Sequence, residues 1–273
     1  MERTCARAAV VLVLLSVLAA CGSSSSPRVG APGTTVFELS STTTLSAAPS
    51  STTVPSPPTT RGPATTIRPP TTASTTPADP ALAAAGDAGQ AIVVTADRYG
   101  ATTATLTAYV REGDGWRPMF GPWPALVGTR GVAPPGEKRE GDGRTPSGVY
   151  GFDFFFGVAA DPGVRFPYRR VTSRSIVWDD DPASPLYNTW VDLDRQGAGT
   201  EPEPMYVSPA YDHGAVIAYN TARTPGLGSA IFLHVSTGGP TAGCVSLLAG
   251  QLVEVLRWLD PARRPRIVVG VAD

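Results

Sequence analysis

The sequence predicts a mainly β domain, a sandwich or barrel, over residues 88–273. Three observations lead there. Short apolar or alternating runs are separated by Gly, Pro and Asp turns at the spacing of strands in an all-β domain. Only one convincing helical stripe appears, close to the C-terminus. The chain upstream of the domain, by contrast, has almost nothing to bury.

The elements follow in order. Ala91–Val94 is a continuous apolar run of the kind that forms a buried strand, and Thr103–Val110 alternates with the period of two that a half-buried strand needs. Gly148–Phe152, Ala215–Tyr219, Ala230–Leu233 and Arg266–Gly270 read the same way, each bounded by turn-forming residues. Between the last two, Ala249–Leu259 carries Leu252, Val253, Leu256 and Leu259 on one stripe, and Pro261 ends that helix.

Residues 1–20 read as an export signal. Arg3 and Arg7 supply a positive start, and Ala8–Ala20 is a run of thirteen small or apolar residues broken only by Ser16. Such a run is short for a membrane span of about 20 residues but suits a cleaved signal. It closes on Leu18–Gly22, which resembles the lipobox of bacterial lipoproteins. That resemblance implies cleavage before Cys21 and lipidation of its thiol. The protein is then expected on the outer face of the cytoplasmic membrane, anchored through Cys21. Residues 21–80, with runs such as Ser23–Ser26 and Thr42–Thr44, hold few large apolar residues and read as a disordered Ser/Thr/Pro-rich linker.

Composition excludes several classes. The formal net charge is −1, with no basic patch or nucleic-acid motif, so no nucleic acid is expected as a partner. Two histidines without a paired cysteine spacing make a poor zinc site, so no metal is expected.

Three cysteines occur in the chain, and Cys5 leaves with the signal. With Cys21 lipidated, Cys244 has no disulfide partner. His234 stands ten residues upstream, at the end of Ile231–Leu233, and Gly243 immediately precedes the thiol. A strand would fix His234 in a partly buried position, and a turn at Gly238–Pro240 could return Cys244 to its imidazole. Cysteine attacks as thiolate, which a neighbouring imidazole provides. The amides of Gly243 and Cys244 could form an oxyanion hole. A buried structural cysteine near a core histidine fits the same spacing. His213, in Tyr211–Gly214, reads as an exposed turn residue, and the five tryptophans as packing.

Several blocks carry more information than the Cys/His pair. They are Lys138–Gly148, Trp178–Pro182 with Tyr187 and Asn188, Ala218–Asn220, Gly228–His234, and Thr241–Val245. In order and spacing they resemble the L,D-transpeptidase catalytic domain (YkuD-type). The resemblance implies a YkuD-like β domain with a helix after the nucleophile. It implies Cys244 as nucleophile and His234 as proton donor and acceptor. The backbone carbonyl of Val235 would orient the imidazole, and the Gly243 amide would serve the oxyanion. Lys138, Asp142, Tyr187, Asn188 and Asn220 become candidates for substrate binding.

The implied reaction is cell-wall chemistry without a cofactor. The thiolate attacks the third residue of a peptidoglycan tetrapeptide stem, D-Ala leaves, and an amine from a second stem resolves the thioester as a 3→3 cross-link. An L,D-carboxypeptidase with the same nucleophile, or a non-catalytic cell-wall-binding or scaffold lipoprotein, are the alternatives. Ala242 and Ser246 depart from the best-known members, which carry a polar group two residues before the cysteine and an arginine soon after it.

Overall fold

The computed structural model of the chain describes residues 80–272. The expected export signal, Cys21 and all but the end of the linker lie outside the described residues. The fold begins with the short helix α1 (Pro80–Ala84), which sets Leu82, with Ala85 just beyond it, on the outer side of β1 (Gln90–Ala96). β1 is buried on both faces. Ile92, Val94 and Ala96 enter the main core, whereas Ala91 and Val93 pack with α1, which explains why the run is continuously apolar. β2 (Thr103–Glu112) alternates, with Ala104, Leu106, Ala108 and Val110 turned inward.

The long β3 (Gly115–Leu126) is absent from the strands expected of the sequence, because Pro118, Pro122 and Pro124 argue against it. Its ladder explains the exception. β3 pairs with β2 along its length, but on its other side meets a neighbour only at Leu126. It is an edge strand over most of its course, so a missing N–H costs no second ladder.

Small strands follow: β4 (Val132–Ala133), β5 (Thr145–Pro146), β6 (Gly148–Tyr150), β7 (Phe152–Gly157), β8 (Tyr168–Arg170), β9 (Ile176–Asp179), β10 (Thr189–Asp192), β11 (Glu203–Pro204) and β12 (Gly214–Ile217). β13 (Phe232–Val235), β14 (Val245–Leu247), helix α2 (Ala249–Trp258) and β15 (Arg266–Val271) complete the chain. Ten strands form one mixed sheet in the order β6-β15-β1-β2-β3-β14-β13-β12-β7-β8. β6 and β7 are separated only by Gly151, yet β6 bonds to β15 near one end of that order and β7 to β12 near the other. A single run of chain therefore bridges both ends, and the sheet curls into a barrel-like shell. Ile267 of β15 and Phe155 of β7 share one core inside it.

Helix α2 lies on that core through Leu252, Val255 and Leu256, with Leu259 just beyond it. The inward stripe runs through Val255 and not Val253, the i, i+3, i+4, i+7 pattern of an amphipathic helix. A second sheet, β10-β9-β11, carries Trp178 and Trp190 against the outside of β7, β12 and β13. Phe154, Phe156, Trp178, Met205, Tyr211 and Phe232 form a satellite core there, and Cys244 belongs to it.

Candidate active site

β13 and β14 run parallel, with Leu233 opposite Val245, His234 opposite Ser246, and Val235 opposite Leu247. Side chains alternate along a strand, so parity sorts them. Leu233, Val235, Val245 and Leu247 all face the main core. His234 and Ser246 therefore share the opposite face with Phe232 and Cys244, the last two of which lie in the satellite core. The chain returns from β13 by a crossover, not a hairpin. That sets Cys244 level with Phe232 and makes it a diagonal neighbour of His234 on the same face.

The imidazole is 8% exposed, and Nδ1 lies 2.9 Å from the carbonyl oxygen of Val235. A carbonyl only accepts, so the proton is on Nδ1 and Nε2 carries the free lone pair. The ring of Tyr211 meets the imidazole edge-on, with centroids 5.4 Å apart. Burial pushes the imidazole below its ordinary pKa, against the carbonyls of Val235 and Ala210.

The thiol is turned toward the backbone. Sγ donates to Ala230 O at 3.3 Å and accepts from the Phe232 N–H at 3.3 Å. Among the described residues it makes no hydrogen bond to His234. Burial pushes its pKa up to about 12, with the Phe232 N–H and Lys138 opposing and the Glu203 charge adding to the rise. Thiol and imidazole are thus both neutral in the resting site.

The backbone around the nucleophile is fixed by two hydroxyls. Thr241 Oγ1 donates to Cys244 O at 2.7 Å and Thr145 Oγ1 at 3.1 Å. A Cβ on Gly243 would lie 3.1 Å from Arg144 O and 3.2 Å from Ile231 Cδ1, so this close approach calls for glycine. The Gly243 amide itself does not stand open to the pocket. Expected to serve the oxyanion, it donates to Thr241 Oγ1 at 3.2 Å in the empty pocket.

Cys244 and His234 line a cavity of about 360 Å3, with Lys138, Glu140, Asp180 and Glu203 on its walls. Of the five residues expected to bind substrate, only Lys138 lines it. Asp142 accepts from Lys138 Nζ at 2.7 Å and from the amides of Arg139 and Arg144, which holds the lysine and the loop. The Tyr187 hydroxyl donates to Glu140 and accepts from the Gly228 N–H. Asn188 Oδ1 accepts from Trp178 Nε1 at 3.0 Å and from the Ala230 N–H at 3.2 Å, and its Nδ2 donates to the carbonyls of Tyr219 and Asn220. Asn220 binds Thr224 and Gly228 in the same manner. Tyr187, Asn188 and Asn220 are therefore wall supports, because their polar atoms are already satisfied by backbone and side-chain partners.

Sequence reasoning assigned no role to Asp180 or Glu203. Glu203 lies opposite Trp178 in the β11–β9 pairing, and Asp180 follows β9 directly. Two acids far apart in the chain meet only through that pairing. Among the described residues no group of three or more His, Cys, Asp or Glu side chains is arranged to hold a metal ion.

The family model of the L,D-transpeptidase catalytic domain (YkuD) matches residues 91–269, which include the whole of the barrel core and both His234 and Cys244. The chain belongs to that family. Among solved structures, the helical cell shape determining protein Pgp2 from Campylobacter jejuni is similar at 14% identity and a TM-score of 0.34. That match covers 69% of this chain and 49% of Pgp2, so it spans about half of the other protein. No curated protein matches.

Proposed function

We propose that this protein is a peptidoglycan L,D-transpeptidase with Cys244 as nucleophile and His234 as proton donor and acceptor. The observation that carries the reading is the shared face of β13 and β14, which puts a buried thiol and an Nδ1-tethered imidazole in one pocket. Family membership supports the reaction class.

In the empty pocket, proton transfer from thiol to imidazole is uphill, since burial opposes both charges. Transfer therefore accompanies attack. Sγ rotates from Ala230 O toward Nε2, gives up its proton, and bonds to the carbonyl carbon of the third stem residue. The tetrahedral oxyanion takes the Gly243 N–H in exchange for the Thr241 hydroxyl. His234 then protonates the departing D-Ala amine, leaving a thioester on Cys244. The amine of a second stem attacks, His234 accepts its proton, and the thiolate leaves, reprotonated in the closing step. No metal or organic cofactor enters this scheme. Export and lipidation at Cys21 belong to the same proposal, with residues 21–80 spanning the distance to the wall.

The test is product analysis. The purified chain is incubated with a disaccharide-tetrapeptide and the muropeptides are resolved by mass spectrometry. A dimer lacking one D-Ala, absent with Cys244→Ala, supports transpeptidation. Tripeptide alone assigns an L,D-carboxypeptidase, and unchanged stem moves the reading to a wall-binding lipoprotein.

A further inference from the structure

A second cavity is lined in part by Trp178 and Asn188, which support the wall behind Ala230. It measures about 290 Å3, close to the lower end for small-molecule sites, and its lining shares only Ile231 with the Cys244 cavity. The balance of charge is opposite in the two. Three carboxylates and one ammonium line the Cys244 cavity, whereas the second has Arg169 and Arg223 against the single carboxylate of Asp153. None of these last three side chains makes a hydrogen bond or ion pair among the described residues.

Arg169 is held in place without using its donors. It pairs opposite Phe156, and alternation turns it to the face of the satellite core, away from Tyr168 and the main core. Its guanidinium carbon lies 3.6 Å over the ring centroid of Phe154 and 5.9 Å from that of Trp190. A guanidinium this close to a ring lies against its face, and the N–H groups in its plane stay free for a ligand. That fork matches the two oxygens of a carboxylate or a phosphodiester. Arg223 comes from a turn pinned by Asn220, which accepts from the Thr224 N–H and donates to the carbonyls of Thr224 and Gly228. Trp190 and Thr221, also in the lining, keep an indole N–H and a hydroxyl without partners among the described residues.

We propose that this second cavity binds an acidic sugar unit with one negative charge, its anion on the forks of Arg169 and Arg223 and its hydroxyls on Asp153, Thr221 and Trp190. Two guanidinium charges against one carboxylate leave a single positive charge to be met. A bare anion would leave Asp153 unpartnered, whereas hydroxyl donors on the same ligand satisfy it. The rings of Trp190 and Tyr219 offer apolar surface to the C–H face of a sugar. The Cys244 cavity refuses the same anion, because its carboxylates outnumber its ammonium. The chemistry is that of a uronate or of a sugar phosphodiester, each singly charged at neutral pH. The inference concerns binding alone and goes beyond the transpeptidase reading without depending on it.

The experiment titrates the purified chain by calorimetry with a glucuronate disaccharide, a glucose methyl phosphodiester, a neutral glucose disaccharide and acetate. At least one acidic sugar is expected to bind about 10- to 100-fold tighter than the neutral one, the range for charged hydrogen bonds, and the tighter of the two names the anion. Arg169→Ala should remove that advantage. Arg169→Lys, which keeps the charge without the fork, should remove part of it. Affinity for the neutral sugar should not change in either. Where Arg169→Ala does not fold, as read by its thermal transition, Arg169→Lys and Arg223→Ala decide. Acidic and neutral sugars bound alike, or acidic-sugar binding unchanged in the arginine variants, overturn the inference. Acetate bound as tightly as the glucuronate overturns it too, since no sugar is then recognised. None of these results bears on acylation of Cys244 by a stem peptide, so failure here leaves the transpeptidase reading to its own test.

Discussion

The hydroxyl of Thr145 donates to the carbonyl oxygen of Cys244 at 3.1 Å, across 99 residues of chain. The same oxygen of Thr145 accepts from the Gly128 N–H at 2.9 Å, and the residue is fully buried. One side chain thus ties the loop that carries Lys138 and Asp142 to the backbone of the nucleophile.

Thr145→Val removes the hydroxyl and strands a buried N–H on Gly128. It is expected to cost about 1–3 kcal/mol of stability, measured by urea denaturation, and to slow acylation of Cys244. Thr145→Ser, which keeps the oxygen, should retain most of both.

Asn188 holds the wall behind Ala230 through four hydrogen bonds, at a backbone φ of 57°. Asn188→Ala loses the bonds and strains the backbone, for an expected loss of about 2–5 kcal/mol. Asn188→Gly relieves the strain alone. Its melting temperature should fall between those of wild type and Asn188→Ala, and a wild-type value would deny the wall its role.

The thiol ionises near its ordinary value of 9.0 when unfolded and near 12 when folded. Above pH 9 the unfolded state therefore binds fewer protons, and stability falls as pH rises toward about 12. Other groups titrate in that window, so the difference from Cys244→Ala is the quantity to follow. Wild type should lose stability relative to the variant from pH 9 upward, with no such trend below it.

A protonated, buried thiol is a poor nucleophile toward small reagents. At neutral pH, resting Cys244 should react with iodoacetamide more slowly than free cysteine. A faster rate would mean that the thiolate exists before substrate arrives. The sequence alone suggested such an activated thiol, because His234 and Cys244 are legible while their hydrogen-bond partners are not. Ala230 O and the Phe232 N–H are backbone groups, and no pattern of side chains announces them.

Other parts of the chain divide along the same physical line. β1, β2, β12, β13 and β15 were legible because burial on one or both faces writes itself into apolar runs and alternation. β3 was hidden by three prolines, since its edge position becomes known only once its neighbours are. Tyr187 and Asn188 stood out in the sequence, and the fold uses their polar atoms to hold loops. Asp180 lay in a block that stood out, Trp178–Pro182, but was given no role, and Glu203 lay in none, because a strand pairing brings the two together. In each case local pattern reported burial, and long-range pairing set the chemistry of the pocket.

The central claim is that Cys244 forms a thioester with a stem peptide. Acid quenching of the purified chain soon after mixing with disaccharide-tetrapeptide, followed by intact mass and peptide mapping, tests it most directly. The account predicts an adduct of the stem less D-Ala on the peptide that contains Cys244, and none with Cys244→Ala. Cross-linked product formed equally well by Cys244→Ala, or an adduct mapped elsewhere, would contradict it.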